Sequence, residues 1–103
     1  MSLDRAAVRS RMEKAAERGA AAALALLAEA ARSRTPVETG RLRDSCQVRA
    51  EGMGGAVVYT APYAAARHEK REGGKFLENA CWDPAVRAEM AEAVRRAFAE
   101  EMR

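Results

Sequence analysis

The stretch TPVETGRLRDSCQVRA, Thr35 to Ala50, decides the fold, because one kind of local structure ends in it and another begins. Pro36 has no amide hydrogen and disfavours α geometry at Thr35, so any helix arriving from upstream stops here. Thr39-Gly40 supplies a turn, and Gly40 is expected to take a positive φ that other residues resist. Beyond the turn, Leu42, Asp44, Cys46, Val48 and Ala50 alternate with Arg41, Arg43, Ser45, Gln47 and Arg49. A period of two predicts a half-buried strand with one mostly apolar face and one face bearing arginines.

Upstream, from about Leu3 to Ser33, there is no proline and no cluster of turn residues, and Ala, Arg, Glu, Leu and Met dominate. Such residues predict one long helix. Val8, Met12, Ala15, Gly19, Ala22, Leu26 and Ala30 recur at steps of three and four, which places them on one stripe of small side chains. A stripe that small admits close approach of a core element or of a neighbouring subunit.

Downstream, the glycine-rich Glu51 to Gly55 reverses the chain, and Ala56 to Thr60 reads as a second strand, giving an antiparallel hairpin. Pro62 closes it. Tyr63 to Lys70 is compatible with a short helix or an ordered loop, and the polar tract Arg71-Glu72-Gly73-Gly74 follows. Phe76, Leu77 and Trp82 form an aromatic and aliphatic group beside Cys81, expected to anchor the returning chain with Trp82 mostly buried. Asp83-Pro84 then opens a last helix, about Pro84 to Glu101, since aspartate suits the N-cap and proline the first helical position. Val86, Met90, Val94, Ala97 and Phe98 give it a narrow apolar stripe. The whole, residues 1–103, is predicted to be one α+β domain: a long N-terminal helix, an antiparallel hairpin or small sheet, and a C-terminal helix packed on the sheet.

Alanine supplies much of the 49% of apolar residues, and one Trp, two Tyr and two Phe are all the aromatic side chains available. The monomer core should therefore be thin, and a thin core at 103 residues favours completion by a partner. Net charge is only +3, too weak to imply nucleic acid by itself, and residues 32 to 49 alone carry that excess. Cys46 and Cys81 lack the spacing of a zinc site or a disulfide framework and read as free, buried thiols. The most apolar window, Ala20 to Ala31, is too short and too rich in alanine to cross a bilayer, so a protein made and used without secretion is expected.

Chemistry has few footholds in this chain. His68 is the single histidine, and a thiol-imidazole pair with Cys46 lacks the glycine-framed turn of a nucleophile. No cluster suits a metal, no fingerprint suits a cofactor, and Gly52-Met53-Gly54-Gly55 lacks the lysine and following helix of a phosphate loop. Glu89, Glu92, Glu100 and Glu101 interleave with Arg87, Arg95 and Arg96 as on a solvated helix face. Arg41, Arg43 and Arg49 on one strand face read either as a solvated surface or as an interface.

Four segments carry a resemblance. Thr35 to Ser45 is similar to the "TPVDTG.LR.S" signature of phage minor capsid and head-tail joining proteins, a family that includes tail-completion components. Glu38 stands where aspartate is usual. Val58-Tyr59-Thr60-Ala61-Pro62-Tyr63-Ala64 resembles the family's strand ending in tyrosine, a small residue and "PYA"; His68-Glu69 matches its "HE", and Lys75-Phe76-Leu77-Glu78 its "KFLE". The loop from Arg67 to Gly74 is shorter and more charged than in many members.

The resemblance implies a virion structural protein of a tailed phage or prophage, without catalysis or cofactor, at the neck or proximal tail. Such a subunit would be made in the bacterial cytoplasm and assembled as a homo-oligomeric ring contacting other neck or tail proteins. No membrane and no specific nucleic-acid contact are expected. Arg41, Arg43 and Arg49 would then meet Glu89, Glu92 or Glu100 of the next copy. Pro36, Gly40, Leu42, Tyr59, Pro62, Tyr63, Phe76, Leu77 and Trp82 would shape the fold. The competing reading is a small basic nucleic-acid-binding module.

Overall fold

A computed structural model describes residues 4–37, 40–70 and 74–103. The start of the first helix at Leu3, the pair Glu38-Thr39 and the tract Arg71 to Gly73 lie outside the described residues. The elements run α1 (Arg5–Arg34), α2 (Arg41–Asp44), β1 (Cys46–Glu51), β2 (Gly54–Tyr59), α3 (Ala64–His68), α4 (Phe76–Trp82) and α5 (Pro84–Glu101). The architecture is α+β: a long N-terminal helix, a two-stranded antiparallel sheet and a closing C-terminal helix.

Helix α1 starts where the Asp4 carboxylate accepts from the amides of Ala6 and Ala7, two of the donors that a helix N-terminus leaves without intrahelical partners. It ends at Thr35, which is extended, as Pro36 requires; Arg32 and Arg34 in its last turn complement the helix dipole. Thirty residues give it about 45 Å of length, most of the molecule's 61 Å long axis.

Helix α5 runs back antiparallel along α1. Arg34 pairs with Asp83 at one end, Gly19 packs on Val94 in the middle, and the Arg11 guanidinium donates to the Glu101 carbonyl at 2.8 Å at the other. A Cβ on Gly19 would stand 3.2 Å from the Val94 Cα, so the absence of a side chain is what lets the two backbones approach.

The buried positions of α1 are Ala15, Gly19, Ala23, Ala28 and Ala31. Ala15 and Gly19 fall on the stripe expected from sequence, but farther along the inward face shifts: Ala23 is buried where Ala22 was expected, and Met12 is exposed. A change of partner accompanies the shift: Gly19 packs on Val94 of α5, whereas farther along Leu24, Ala28 and Arg32 meet the hairpin at Gly55 and Cys46.

The first strand is shorter than the alternation suggested. Residues 41–44 form one helical turn, entered through Gly40 at φ 82°, and pairing begins only at Cys46. Leu42 is buried from that turn rather than from a strand. The register pairs Cys46 with Tyr59 and Glu51 with Gly54 around a two-residue loop, Gly52-Met53, with Gly52 at φ 56°.

Tyr63 to Lys70 resolves as the short helix α3. The segment expected to anchor the chain through Phe76, Leu77 and Trp82 is itself a helix, and helical periodicity separates the three. Phe76 and Ala80 point inward, one turn apart, while Trp82 lies about 200° round the axis from Ala80 and is 66% exposed. Cys81 is exposed as well, so only Cys46 is the buried thiol that sequence suggested.

Candidate functional site

The four segments singled out in the sequence meet in space. Leu42, Ala64 and Phe76 form a buried cluster, with Tyr59, Ala61 and Leu77 packed against it. Three segments supply the cluster, the turn after α1 giving Leu42, the end of β2 and the residues after it Tyr59, Ala61 and Ala64, and the start of α4 Phe76 and Leu77, while the fourth sets His68 against the Phe76 ring. The Phe76 ring is met edge-on by Tyr59 at 4.9 Å and by His68 at 5.0 Å between centroids. At 2% exposure Phe76 is the largest fully buried side chain among the described residues.

Polar groups at the edge of the cluster are matched. Thr35 donates its hydroxyl hydrogen to the Ala31 carbonyl at 2.7 Å, and the Tyr59 hydroxyl lies 2.6 Å from the same Thr35 oxygen. Burial, the largest influence, pushes the Tyr59 phenol up to about 12. Arg32 donates to the Cys46 carbonyl at 3.0 Å, fixing the base of the hairpin to the end of α1.

His68 Nε2 accepts from the Glu78 amide at 3.3 Å, so that nitrogen is engaged in holding α3 to α4. Lys75 sits in left-handed geometry at φ 57° and bridges Glu69 at 2.7 Å and Glu78 at 3.8 Å. Its hydrogen bond draws the Glu69 carboxyl below, and raises the Lys75 ammonium above, their ordinary values. Both groups face water, so the pair is a positioning contact of small energy.

The Cys46 thiol points to the Ala28 carbonyl at 4.0 Å, within the core. Among the described residues no three metal-ligating side chains come together.

Arg41, Arg43 and Arg49 do not share a strand face. The first two stand on α2, where Arg43 contacts Asp44 at 3.6 Å, and only Arg49 is on β1. Arg41 instead joins Arg67 and Lys70 around a pocket of about 310 Å3 with Pro36, Gly40, Leu42 and Tyr63, a basic concavity that linear alternation could not show.

Of the carboxylates, Glu100 pairs with Arg18 at 2.8 Å within the chain and Glu92 with Arg95 and Arg96, whereas Glu89 is exposed and forms no ion pair among the described residues. Arg18 bridges both Glu100 and Glu101, and those hydrogen bonds raise its already high value. Pro62 and Tyr63 are exposed at the end of the hairpin. Sequence reasoning missed Arg11, Arg18 and Arg34, which tie α1 to α5; their positions on α1 opposite acidic or carbonyl groups of α5 follow only once the two helices are antiparallel.

A second pocket, about 320 Å3, opens beside the cluster and is walled by Tyr59, Ala64, Ala65, Phe76 and Leu77 with His68 and Glu69 at its rim. Trp82, on the far turn of α4, is exposed, with the Arg87 guanidinium 5.2 Å from its ring centre.

No curated protein and no solved structure matches the chain. A family model described as "Bacteriophage HK97-gp10, putative tail-component" matches residues 2–79, a span that contains α1, the hairpin, α3 and the first turn of α4. All four motif segments and every residue of the buried cluster fall inside it. By that match the chain belongs to the HK97-gp10-like family of bacteriophage tail components, within the wider group of phage head-tail and tail-completion proteins.

Proposed function

We propose that the chain is a virion structural subunit of a tailed phage or prophage, placed at the head-tail junction in the neck or proximal tail. It acts by ring assembly and by contacts with other neck or tail proteins, is made in the bacterial cytoplasm and ends in the particle. The observation that carries this reading is the family match over residues 2–79, whose motif residues are used in building the core.

Shape supports assembly. The radius of gyration is 16.8 Å, against about 13 Å for a compact domain of this length. The accessible surface is 7262 Å2, against about 5,700 Å2 for a compact monomer of this mass. A chain that leaves so much surface exposed around an alanine-lined interior gains by covering some of it with neighbours. Among the described residues no helix is long and apolar enough to cross a membrane.

Omission of the gene from the phage or prophage that encodes it tests the reading. Electron microscopy of the lysate is expected to show filled heads and tails that fail to join, with normal particles restored when the chain is supplied in trans. Normal particles in its absence would overturn the assignment.

A further inference from the structure

We propose that Trp82 with Arg87 is a knob that enters the apolar pocket beside Phe76 on a second copy of this chain, so that copies join head to tail. The proposal rests on the assembly reading above and names the contact that would build it. Trp82 lies beyond the span that the family model matches, so that match assigns it no role.

Trp82 is the single tryptophan of the chain and is 66% exposed, a costly display for the largest apolar side chain in a protein short of them. Buried Trp and Arg side chains are the anchors on which interface energy concentrates. The Arg87 guanidinium lies over the indole at 5.2 Å and has no carboxylate partner among the described residues, so the two present one apolar and cationic projection.

The receptor is on the same molecule. Its volume of about 320 Å3 is at the lower end of what holds a small ligand, which suits one large side chain. Tyr59, Ala64, Ala65, Phe76 and Leu77 make its walls apolar, and Glu69 stands at its rim with Glu78 nearby through Lys75. Two carboxylates against one lysine leave a negative edge where Arg87 of an incoming copy would lie.

Knob and pocket occupy opposite ends of α4, a helix of seven residues. Phe76 and Leu77 line the pocket at its first turn, and Trp82, at its last residue, points about 240° round the axis from Phe76. A copy cannot fill its own pocket, and each copy that fills a neighbour's leaves its own open to the next. Such a contact is heterologous and propagates into a ring or an open chain.

The full chain tests this through its one tryptophan. Emission is expected to move to the blue as concentration rises from micromolar to millimolar, in step with mass measured by light scattering. Trp82→Ala removes the knob, and Ala65→Lys blocks the pocket and repels Arg87. Both sites are exposed, and circular dichroism establishes that the variants fold. Each variant alone is expected to associate at least about tenfold more weakly. Mixed, they are expected to form dimers and nothing larger, and the Trp82 emission of the Ala65→Lys chain should shift to the blue.

Wild-type association that both variants leave intact would overturn the proposal, as would a mixture that fails to pair, or a wild-type chain that stays monomeric with red emission at millimolar concentration. Normal entry of both variants into particles would overturn it while leaving the assembly reading standing. Absence of the wild-type chain itself from particles would instead strike that reading.

Discussion

The hydroxyl of Tyr59 on β2 lies 2.6 Å from that of Thr35 at the end of α1, and the one hydrogen of Thr35 is already given to the Ala31 carbonyl. Tyr59 is therefore the donor between them. Two motif segments far apart in the chain are joined by this bond. Tyr59→Phe should cost about 1 kcal/mol in denaturant unfolding at neutral pH.

Burial of the Tyr59 ring sets a pH dependence. The folded phenol is pushed up to about 12, above its value near 10 in the unfolded chain. Its contribution is thus fully present below pH 10 and is lost as pH rises toward 12. Unfolding midpoints measured across pH 9 to 12 should fall more steeply for the wild type than for Tyr59→Phe; parallel curves would show that Tyr59 is not the group responsible.

Phe76 and Trp82 should differ sharply in what truncation costs. Phe76 is buried between Tyr59 and His68, so Phe76→Ala should cost about 3 to 5 kcal/mol, enough to unfold a marginal domain. Trp82→Ala should change the stability of the isolated chain by no more than about 0.5 kcal/mol beyond the loss of its contact with Arg87. Thermal melts of the two variants, at concentrations where the chain is monomeric, decide between the assignments.

Gly40 and Gly19 are required for different reasons. Gly40 has φ 82°, where a β-branched residue is strained, so Gly40→Val should cost about 1 to 3 kcal/mol. Gly19 lies in ordinary helix but against the Val94 backbone, so Gly19→Leu should cost a similar amount, about 1 to 3 kcal/mol, by forcing α1 and α5 apart. Calorimetry of both variants should show lowered midpoints, and Val94→Ala, which removes the γ-methyls but leaves the Val94 backbone in place, should relieve Gly19→Leu only in part and Gly40→Val not at all.

Asp83 does two things at once. Oδ1 accepts from the Ala85 amide at 2.8 Å as the cap of α5, and Oδ2 pairs with Arg34 at the end of α1. Asp83→Asn keeps the cap and weakens the pair, whereas Asp83→Ala loses both, so alanine should be the costlier by about 1 kcal/mol in chemical unfolding.

How much of this was legible in the sequence depends on whether local chemistry or tertiary company decides each residue. Thr35-Pro36, Gly40 and Asp83-Pro84 are local, and the end of α1, the start of α5 and the positive φ of Gly40 followed from them. Arg41 to Ser45 alternates as a strand would, yet it forms a helical turn, because the glycine turn delivers Leu42 to the cluster with Ala64 and Phe76, and only tertiary packing rewards that. Trp82 misled for a related reason: size suggests burial, but its place on α4 is fixed by Phe76 and Ala80 facing inward. The expected arginine face dissolved with the strand, and the basic pocket of Arg41, Arg67 and Lys70 needed α2 and α3 side by side, which no spacing in the chain encodes.

Quantitative mass spectrometry combined with cross-linking, on purified particles from the phage or prophage that encodes the chain, decides whether it is a structural subunit of the particle. The chain is expected in every particle at a fixed copy number far below that of the capsid subunit, with cross-links to itself and to neighbouring neck or tail proteins. Infectious particles that lack the chain would contradict that role.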